Sequence, residues 1–315
     1  MINMSVIMSC YNERKPDIIK SINSILEQTY KLFEFIIIVD NPKNNEIIET
    51  IKKFKDKRIK VIINEKNIGL AESLNKGISI AKGKYIARMD ADDISLPNRL
   101  KMQFDYLETH KNIDIVGSNR ITIDENDEII ADNLKLPISD KKIKKQLPYA
   151  SVIIHPSVMF RKNKILSIGK YRAFPAAQDY DLWLRCLTSN YNFYNIEVPL
   201  IKYRIRKNSI SKSNTLKQFL ISLYIIQLFK ERNKKHTDSF SVENLNKYLN
   251  DNDAYDINEI KKFDESLELY NEAKKYNKKF KLIKGSKTIC KAIKTSRFFK
   301  KFLYLSLMKN LCKIC

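Results

Sequence analysis

From residue 4 to residue 90 the chain alternates between two hydrophobic patterns. Ser5–Ser9, Phe33–Val39, Ile59–Ile63 and a run ending at Asp90 are short and largely apolar. Segments of that length and character read as strands, Phe33–Val39 and the run ending at Asp90 as buried ones. Between them the apolar positions recur at helical spacing. Asp17–Gln28 carries Ile18, Ile19, Ile22, Ile25 and Leu26; Glu46–Phe54 follows the same period; Leu70–Ala81 sets Leu70, Leu74, Ile78 and Ala81 on one face. Strand–helix alternation of this length predicts an α/β fold with a mainly parallel central sheet, flanked by helices on right-handed crossovers.

After Asp93 the pattern changes. Pro97 opens a helix through about Glu108, since a proline in the first turn costs no hydrogen bond. Ile113–Ser118, Ile121–Ile123 and Glu128–Ala131 read as strands, with a turn at Asp124–Asp127. Lys141–Gln146 reads as a short basic helix, His155–Arg161 as a strand and Asp179–Cys186 as a helix. This second half is mixed α+β. From about Leu216 the chain is helical and polar. The predicted division is 1–213, with halves 1–93 and 94–213, followed by a helical basic extension over 214–315.

Composition adds an electrostatic argument. Lys and Arg number 58 against 36 Asp and Glu, a net charge of +22. Such a balance favours an anionic partner: a nucleotide, a membrane surface or a nucleic acid. Residues 271–315 hold fourteen Lys or Arg and one Glu, a net of +13. There Phe298, Phe299, Phe302, Leu303 and Leu305 can share one helical face beside Lys300 and Lys301, which predicts a basic amphipathic helix, set against a membrane or against the domain. The five cysteines (Cys10, Cys186, Cys290, Cys312, Cys315) show neither zinc spacing nor a disulfide framework, and fit a reducing cytosol. No secretory leader is expected, and the longest apolar stretch, near Phe219–Phe229, is too short to span a bilayer. The expected location is cytoplasmic or peripheral on the inner face of the plasma membrane.

The chemistry gathers where the strands end. The first ends in Ser9-Cys10-Tyr11-Asn12-Glu13 and the second in Val39-Asp40-Asn41. The third is followed by Asn64-Glu65-Lys66-Asn67-Ile68-Gly69, and the fourth ends in Asp90-Ala91-Asp92-Asp93. Ligands of open α/β sheets bind outside the carboxyl ends of the strands, so four polar strand ends at one edge predict a nucleotide pocket. Three carboxylates within four residues repel one another unless a cation lies among them. Oxygen-only donors suit Mg²⁺ or Mn²⁺.

These residues resemble a family-2 glycosyltransferase of the GT-A fold, of the kind that builds bacterial capsule, exopolysaccharide or lipopolysaccharide outer core. The match runs from Ser5–Glu13 through Ser24–Tyr30, Asn67–Ala71, Asn75–Ile78 and Asp90–Asp93. It continues with Pro97–Leu100 and Gln103, His155–Arg161, Gln178–Arg185, Tyr203-Arg204 and Asn208-Ser209. It covers roughly residues 4–210.

The resemblance implies inverting transfer of one sugar from a nucleotide sugar, most simply a UDP-sugar, to a hydroxyl of a growing, lipid-linked glycan. It makes 1–93 the nucleotide half and 94–213 the acceptor half. Asp40 would accept the uracil N3–H, and Cys10, Tyr11 and Glu13 would wall the base and ribose. Asn67 and Gly69 would shape the turn beside the nucleotide. Asp90 and Asp92 would hold the ribose and the metal, Asp92 being the direct ligand. Asp179 would be the general base, with Asp181 as fallback. Trp183 and His155 read chiefly as packing residues.

Three departures stand out. Gln178-Asp179 replaces a usual Glu-Asp, Asp40-Asn41-Pro42-Lys43 replaces a frequent Asp-Asp-Gly-Ser, and Ile205-Arg206 stands where relatives often carry a His. Arg206 can bind phosphate oxygens as a fixed cation. The absence of Gln-x-x-Arg-Trp disfavours processive synthesis. A catalytically degenerate relative, a nucleotidyltransferase and a basic nucleic-acid-binding protein are the rival readings. The nucleotidyltransferase would need a Gly-rich loop after the first strand, where this chain has Tyr11–Lys15.

Overall fold

Strand β1 (Met4–Cys10) lies in the middle of a parallel set with β2 (Phe33–Val39) on one side and β4 (Tyr85–Asp90) on the other, and β3 (Ile59–Ile63) pairs with β2. The register sets Ser9 beside Ile38 and Asp90, so the carboxyl ends of these strands form one edge. This is the computed structural model of the chain, and it describes residues 2–132, 135–206, 215–278 and 282–314. The chain divides into two compact units, Met1–Leu147 with Ser151–Arg206, and Pro148–Ala150 with Lys207–Cys315.

In the first unit the crossovers are α1 (Lys15–Leu26), α2 (Asn45–Lys52) and α3 (Leu70–Ile80), each within a few residues of the predicted span. The core between sheet and helices is built from Val6, Met8, Ile18, Ile22, Ile25, Phe35, Ile37 and Ile47. Helix α3 comes close to the sheet because Gly77 has no side chain; a Cβ there would stand 2.7 Å from a methyl of Ile7.

Helix α1 carries a second stripe, polar and buried. Asp17, Ser21 and Ser24 follow one another around the helix at helical spacing, Gln28 continues the line just past its end, and all four are buried. They grip the chain just after β4. Ser21 donates to the Asp90 carbonyl (3.0 Å), and Ser24 accepts from the Ser95 N–H (3.0 Å). Gln28 donates to the Leu96 carbonyl (2.8 Å) and accepts from the Leu100 N–H (2.9 Å).

Beyond β4 the sheet becomes mixed. Its order is β3-β2-β1-β4-β8-β6-β9-β5, with β7 beside β6. These further strands are β5 (Ile94–Ser95), β6 (Ile115–Ile123), β7 (Ile129–Ala131), β8 (Met159–Arg161) and β9 (Phe193–Arg204), with helices α4 (Arg99–Thr109), α5 (Asp140–Gln146), α6 (Lys162–Ser167) and α7 (Gln178–Thr188) between them.

Three differences from the sequence pattern have physical causes. The two strands expected at 113–118 and 121–123 are one strand, and the polar Asn119-Arg120 that interrupts the pattern sits at a register shift against β9. Strand β9 was not anticipated at all. Pro199 lies inside it, which argues against a strand, but that proline faces Asn119 at the same irregularity, where no ladder bond is lost. The strand expected over His155–Arg161 opens instead as a 3-10 turn at His155–Ser157, since Pro156 has no N–H to give a ladder.

In the second unit, α8 (Thr215–Lys235), α9 (Val242–Asp251), α10 (Ile257–Lys278), α11 (Leu282–Thr295) and α12 (Phe299–Ile314) follow in order. Its core includes Leu216, Leu220, Ile225, Phe263 and Phe299. Phe302 stands 5.8 Å from Phe219 and from Tyr270, and 5.6 Å from Phe299, ring centre to ring centre. Phe298 is buried as well. The apolar face that the sequence left open to a membrane or to packing on the protein, Phe298, Phe299 and Phe302, is therefore consumed by packing within this unit. No described helix is long and apolar enough to cross a membrane.

The polar stripe of α1 yields a test. Gln28→Leu fills the space but orphans the Leu100 N–H and leaves the Leu96 carbonyl with the Arg99 N–H alone, at about 1–3 kcal/mol for the buried donor left unpaired. The urea midpoint should fall accordingly, and an unchanged midpoint would show that the stripe is not holding the segment after β4.

Candidate active site

The loop between β3 and α3 is folded onto Asp40. The buried Asp40 carboxylate accepts from Asn64 Nδ2 (2.8 Å) and the Ile68 N–H (2.9 Å) on one oxygen, and from the Gly69 N–H (2.8 Å) on the other. Asn67 adds a second acceptor for the Gly69 N–H at 2.9 Å. A carboxylate offers about four acceptor positions, so Asp40 retains about one for a ligand. Gly69 has φ 84° and ψ 162°, a region open essentially to glycine alone. Around it there is free space, so the backbone conformation and not crowding selects the glycine.

The end of β1 closes the same edge. Cys10 is fully buried, and its thiol pKa is pushed well up by burial and by the Glu13 and Asp92 carboxylates. Its side chain belongs to the core, which corrects the expectation that it walls a ligand; its two companions in that expectation, Tyr11 and Glu13, do have solvent-facing surface. The Tyr11 N–H donates to Glu13 Oε2 at 2.7 Å. Burial raises the Glu13 pKa.

The acidic run at the end of β4 is divided by position. Asp90 and Asp92 keep 30% and 27% of their side-chain surface exposed, whereas Asp93 is buried. Asp93 Oδ1 accepts the Arg204 N–H (2.8 Å), so this residue joins the acidic run to β9 and does not face the open edge. Burial pushes the Asp92 carboxyl up to about 6, and repulsion from Asp90 adds to the shift.

Guanidinium groups answer these charges. Arg88, buried beneath, pairs with Asp90 through Nη2. Arg206 Nη2 lies 3.2 Å from Asp92 and 3.0 Å from Asp17. Arg204 donates to the Asp92 carbonyl (2.9 Å) and reaches Asp127 (2.6 Å). Asp17 and Arg88 were not assigned to the site from sequence. The available signal for Asp17 was its place in the polar stripe of α1; Arg88 carried none beyond adjacency to the acidic run.

Asp179 stands in the first turn of α7, after Ala177 in a left-handed conformation at φ 55°. It keeps some exposure, and burial raises its pKa while the Arg88 cation pulls it back. Asp181 is different. It is fully buried and ion-paired with Arg185 at 2.8 Å, so it is a structural residue, and its expected part as a substitute base is withdrawn. Trp183 is fully buried. His155 is buried too, hydrogen-bonded to the Tyr171 hydroxyl (2.8 Å) and edge-on to Trp183 (6.2 Å); burial and Arg88 hold its pKa well below the usual histidine range. All three are packing residues. Asn208 and Ser209 lie outside the described residues.

Among the described residues no three His, Cys, Asp or Glu gather as a ready metal cage. What the edge offers is two part-exposed carboxylates with oxygen donors only. That set suits a hard divalent cation that takes its remaining ligands from phosphate and water. The arrangement combines a fixed acceptor (Asp40), a guanidinium held between Asp17 and Asp92 (Arg206), two part-exposed carboxylates (Asp90 and Asp92) and a separate carboxylate of raised pKa (Asp179).

Comparison with known proteins gives a consistent pattern. The sequence profile described as Glycosyl transferase family 2 matches residues 5–168. An uncharacterized glycosyltransferase of Methanocaldococcus jannaschii is 44% identical over 236 residues, 74% of this chain and 81% of that protein. The Escherichia coli O-antigen biosynthesis glycosyltransferase WbnJ is 40% identical over 216 residues, 67% and 82% of the two chains. The Escherichia coli UDP-Gal:alpha-D-GlcNAc-diphosphoundecaprenol beta-1,3-galactosyltransferase is 30% identical over 225 residues, 68% and 78%. In three dimensions the chain resembles S. aureus TarS 1-349, solved in complex with UDP-GlcNAc, with a TM-score of 0.60 and 15% identity, over 79% of this chain and 70% of that one.

The loop on Asp40 can be tested through Gly69. Gly69→Ala places a side chain in the glycine-only region and should cost about 1–3 kcal/mol. A thermal or urea melt reads that loss directly; a melt identical to wild type would mean the backbone relaxes there without strain.

Proposed function

Because the chain belongs to glycosyl transferase family 2, we propose that it moves a single hexose from a UDP-sugar to a hydroxyl of a growing, lipid-linked surface glycan, with inversion at the anomeric carbon. The observation that carries this reading is the Asp92–Arg206 pair at 3.2 Å on the same strand-end edge as Asp40. It puts an anion-binding and a cation-binding group side by side, as a nucleoside diphosphate requires. The names of the Escherichia coli relatives supply the glycan, the UDP donor and the lipid-linked acceptor as the chemistry to test.

In this reading Asp40 accepts the N3–H of the uracil with its remaining lone pair. Tyr11 and Glu13 border the base and ribose, and Asn67 and Gly69 hold the loop that orients Asp40. Asp90 and Asp92 are the ligands for Mg²⁺ or Mn²⁺, which when bound neutralises charge on the departing diphosphate. Arg206 turns from its carboxylate partners toward phosphate oxygens, for which a guanidinium has the matching donor fork.

Asp179 takes the proton of the acceptor hydroxyl while that oxygen bonds to the anomeric carbon. The bond from that carbon to the β-phosphate oxygen breaks, its electron pair leaves on UDP, and single displacement inverts the centre. A carboxylate of raised pKa is better matched to this proton transfer than an ordinary one. Arg88 keeps the rise in check by favouring the charged form of Asp179.

Two substitutions separate the roles. Asp92→Ala should abolish the divalent-dependent part of UDP binding, read by calorimetry, without lowering the melting temperature, because the side chain lies at the open edge. In wild type that part should strengthen as pH rises through about 6, since Asp92 must lose its proton before it holds a cation. Equal UDP–Mn²⁺ affinity in the variant would remove Asp92 from the site.

Asp179→Asn keeps the shape and removes the proton acceptor. UDP-sugar binding should persist while transfer falls about 10²–10⁴-fold, the usual worth of a positioned base. Near-normal turnover would dismiss Asp179 as the base, and a wild-type protein that releases no UDP from any of a panel of UDP-sugars and acceptors would overturn the enzymatic reading.

A further inference from the structure

With Phe298, Phe299 and Phe302 committed to packing, α12 still presents a different apolar face to solvent. Tyr304, Leu307 and Leu311 are 56%, 53% and 55% exposed. Their spacing of three and four residues puts them in one stripe along the helix, and the exposed Lys300 stands one turn ahead of Tyr304 on the same line. Stripes of this kind are rare on a free surface unless something covers them. The preceding helix α11 also exposes a mixed face, with Ile283 at 76% and Lys287, Cys290, Lys291 and Lys294 around it.

Charge decides what the occupant is. Residues 271–315 carry fourteen Lys or Arg and one Glu, so a second copy of this surface would be repelled and a neutral apolar partner would leave the cations unanswered. A bilayer rich in anionic headgroups answers both features: the apolar stripe enters the headgroup–acyl boundary and the lysines meet phosphates. We propose that the Tyr304–Leu307–Leu311 face of α12, with the lysines of α11 beside it in sequence, is a docking surface for an anionic lipid membrane. The inference does not rest on the transfer reaction.

Co-sedimentation with vesicles tests it. Wild type should sediment with vesicles containing phosphatidylglycerol and not with phosphatidylcholine alone, and binding should weaken with salt, as attraction screened within about 8–10 Å does. The variant Leu307→Asp/Leu311→Asp should melt at the wild-type temperature and bind UDP equally well, because both side chains are exposed. Its vesicle partition should fall about tenfold or more, since burial of one leucine is itself worth about a decade. A control, Ile129→Asp/Ile130→Asp on β7, adds the same charge at another exposed apolar site and should bind vesicles far better than that variant.

Failure of wild type to sediment, or equal loss in variant and control, would overturn the proposal. So would a concentration-dependent self-association that the α12 variant abolishes, which would assign the stripe to a second copy. In each of these cases unaltered UDP binding and transfer would leave the catalytic reading standing.

Discussion

Three carboxylates in four residues can exist at the end of a buried strand only if cations face them. At an effective dielectric of 20, two like charges 4 Å apart repel by about 4 kcal/mol, a large share of the whole stability of a domain. The chain resolves this with guanidinium groups from separate elements. Arg88 comes from inside β4, Arg204 from the end of β9 and Arg206 from just beyond it. The acidic run is thereby tied to both ends of the sequence that builds the site. Balance is incomplete at the open edge, where the Asp92 carboxyl is pushed up to about 6; in the proposed reading a divalent cation and a diphosphate together relieve that residual frustration.

The first four strands and three helices were legible because their apolar periods are uninterrupted and nothing tertiary competes with them. The site edge followed from the same pattern, since parallel strands of known direction place Cys10, Asp40, Asn64 and Asp90 together. Legibility failed where the decisive partner is remote. Pro199 hides β9 until its bulge partner Asn119 is known, 80 residues earlier in the chain. Asp179 and Asp181 share one short motif, yet Arg185 and complete burial remove only the second from chemistry. Burial cannot be read from adjacency in a motif when both residues lie in the first turn of the same helix.

The same limit applies to residues that a family pattern brings forward without saying why. Arg99 and Gln103 belong to the pattern that carries the family resemblance. In the fold Arg99 is fully buried and donates to the Arg88 carbonyl and to Gln103 Oε1, while Gln103 donates to the carbonyls of Val116 (3.1 Å) and Ser157 (2.7 Å). Arg161 likewise donates to the carbonyls of Ile113 (2.9 Å) and Leu107 (2.7 Å). These are buried polar groups whose partners are mostly backbone carbonyls, near the place where the sheet turns from parallel to mixed and in the last turns of α4. Their charge is a means of satisfying several acceptors at once.

That junction connects the two sides of the reaction. Arg99 reads the backbone of β4 at Arg88, the residue whose cation favours the charged form of Asp179 on α7 and pairs with Asp90 at the donor edge. Asp93, next to the part-exposed Asp92, fixes the start of the Arg204–Arg206 segment by accepting the Arg204 backbone N–H. In the proposed reading the donor-side carboxylates therefore hang on one short piece of chain, 88–93, held by α1 from one side and by α4 and β9 from the other. In the proposed reading this piece carries the donor-side carboxylates, and the charges of Arg88 and Asp90 act from it on Asp179. A transferase that must keep one displacement geometry while changing substrates has reason to concentrate its buried polar contacts there.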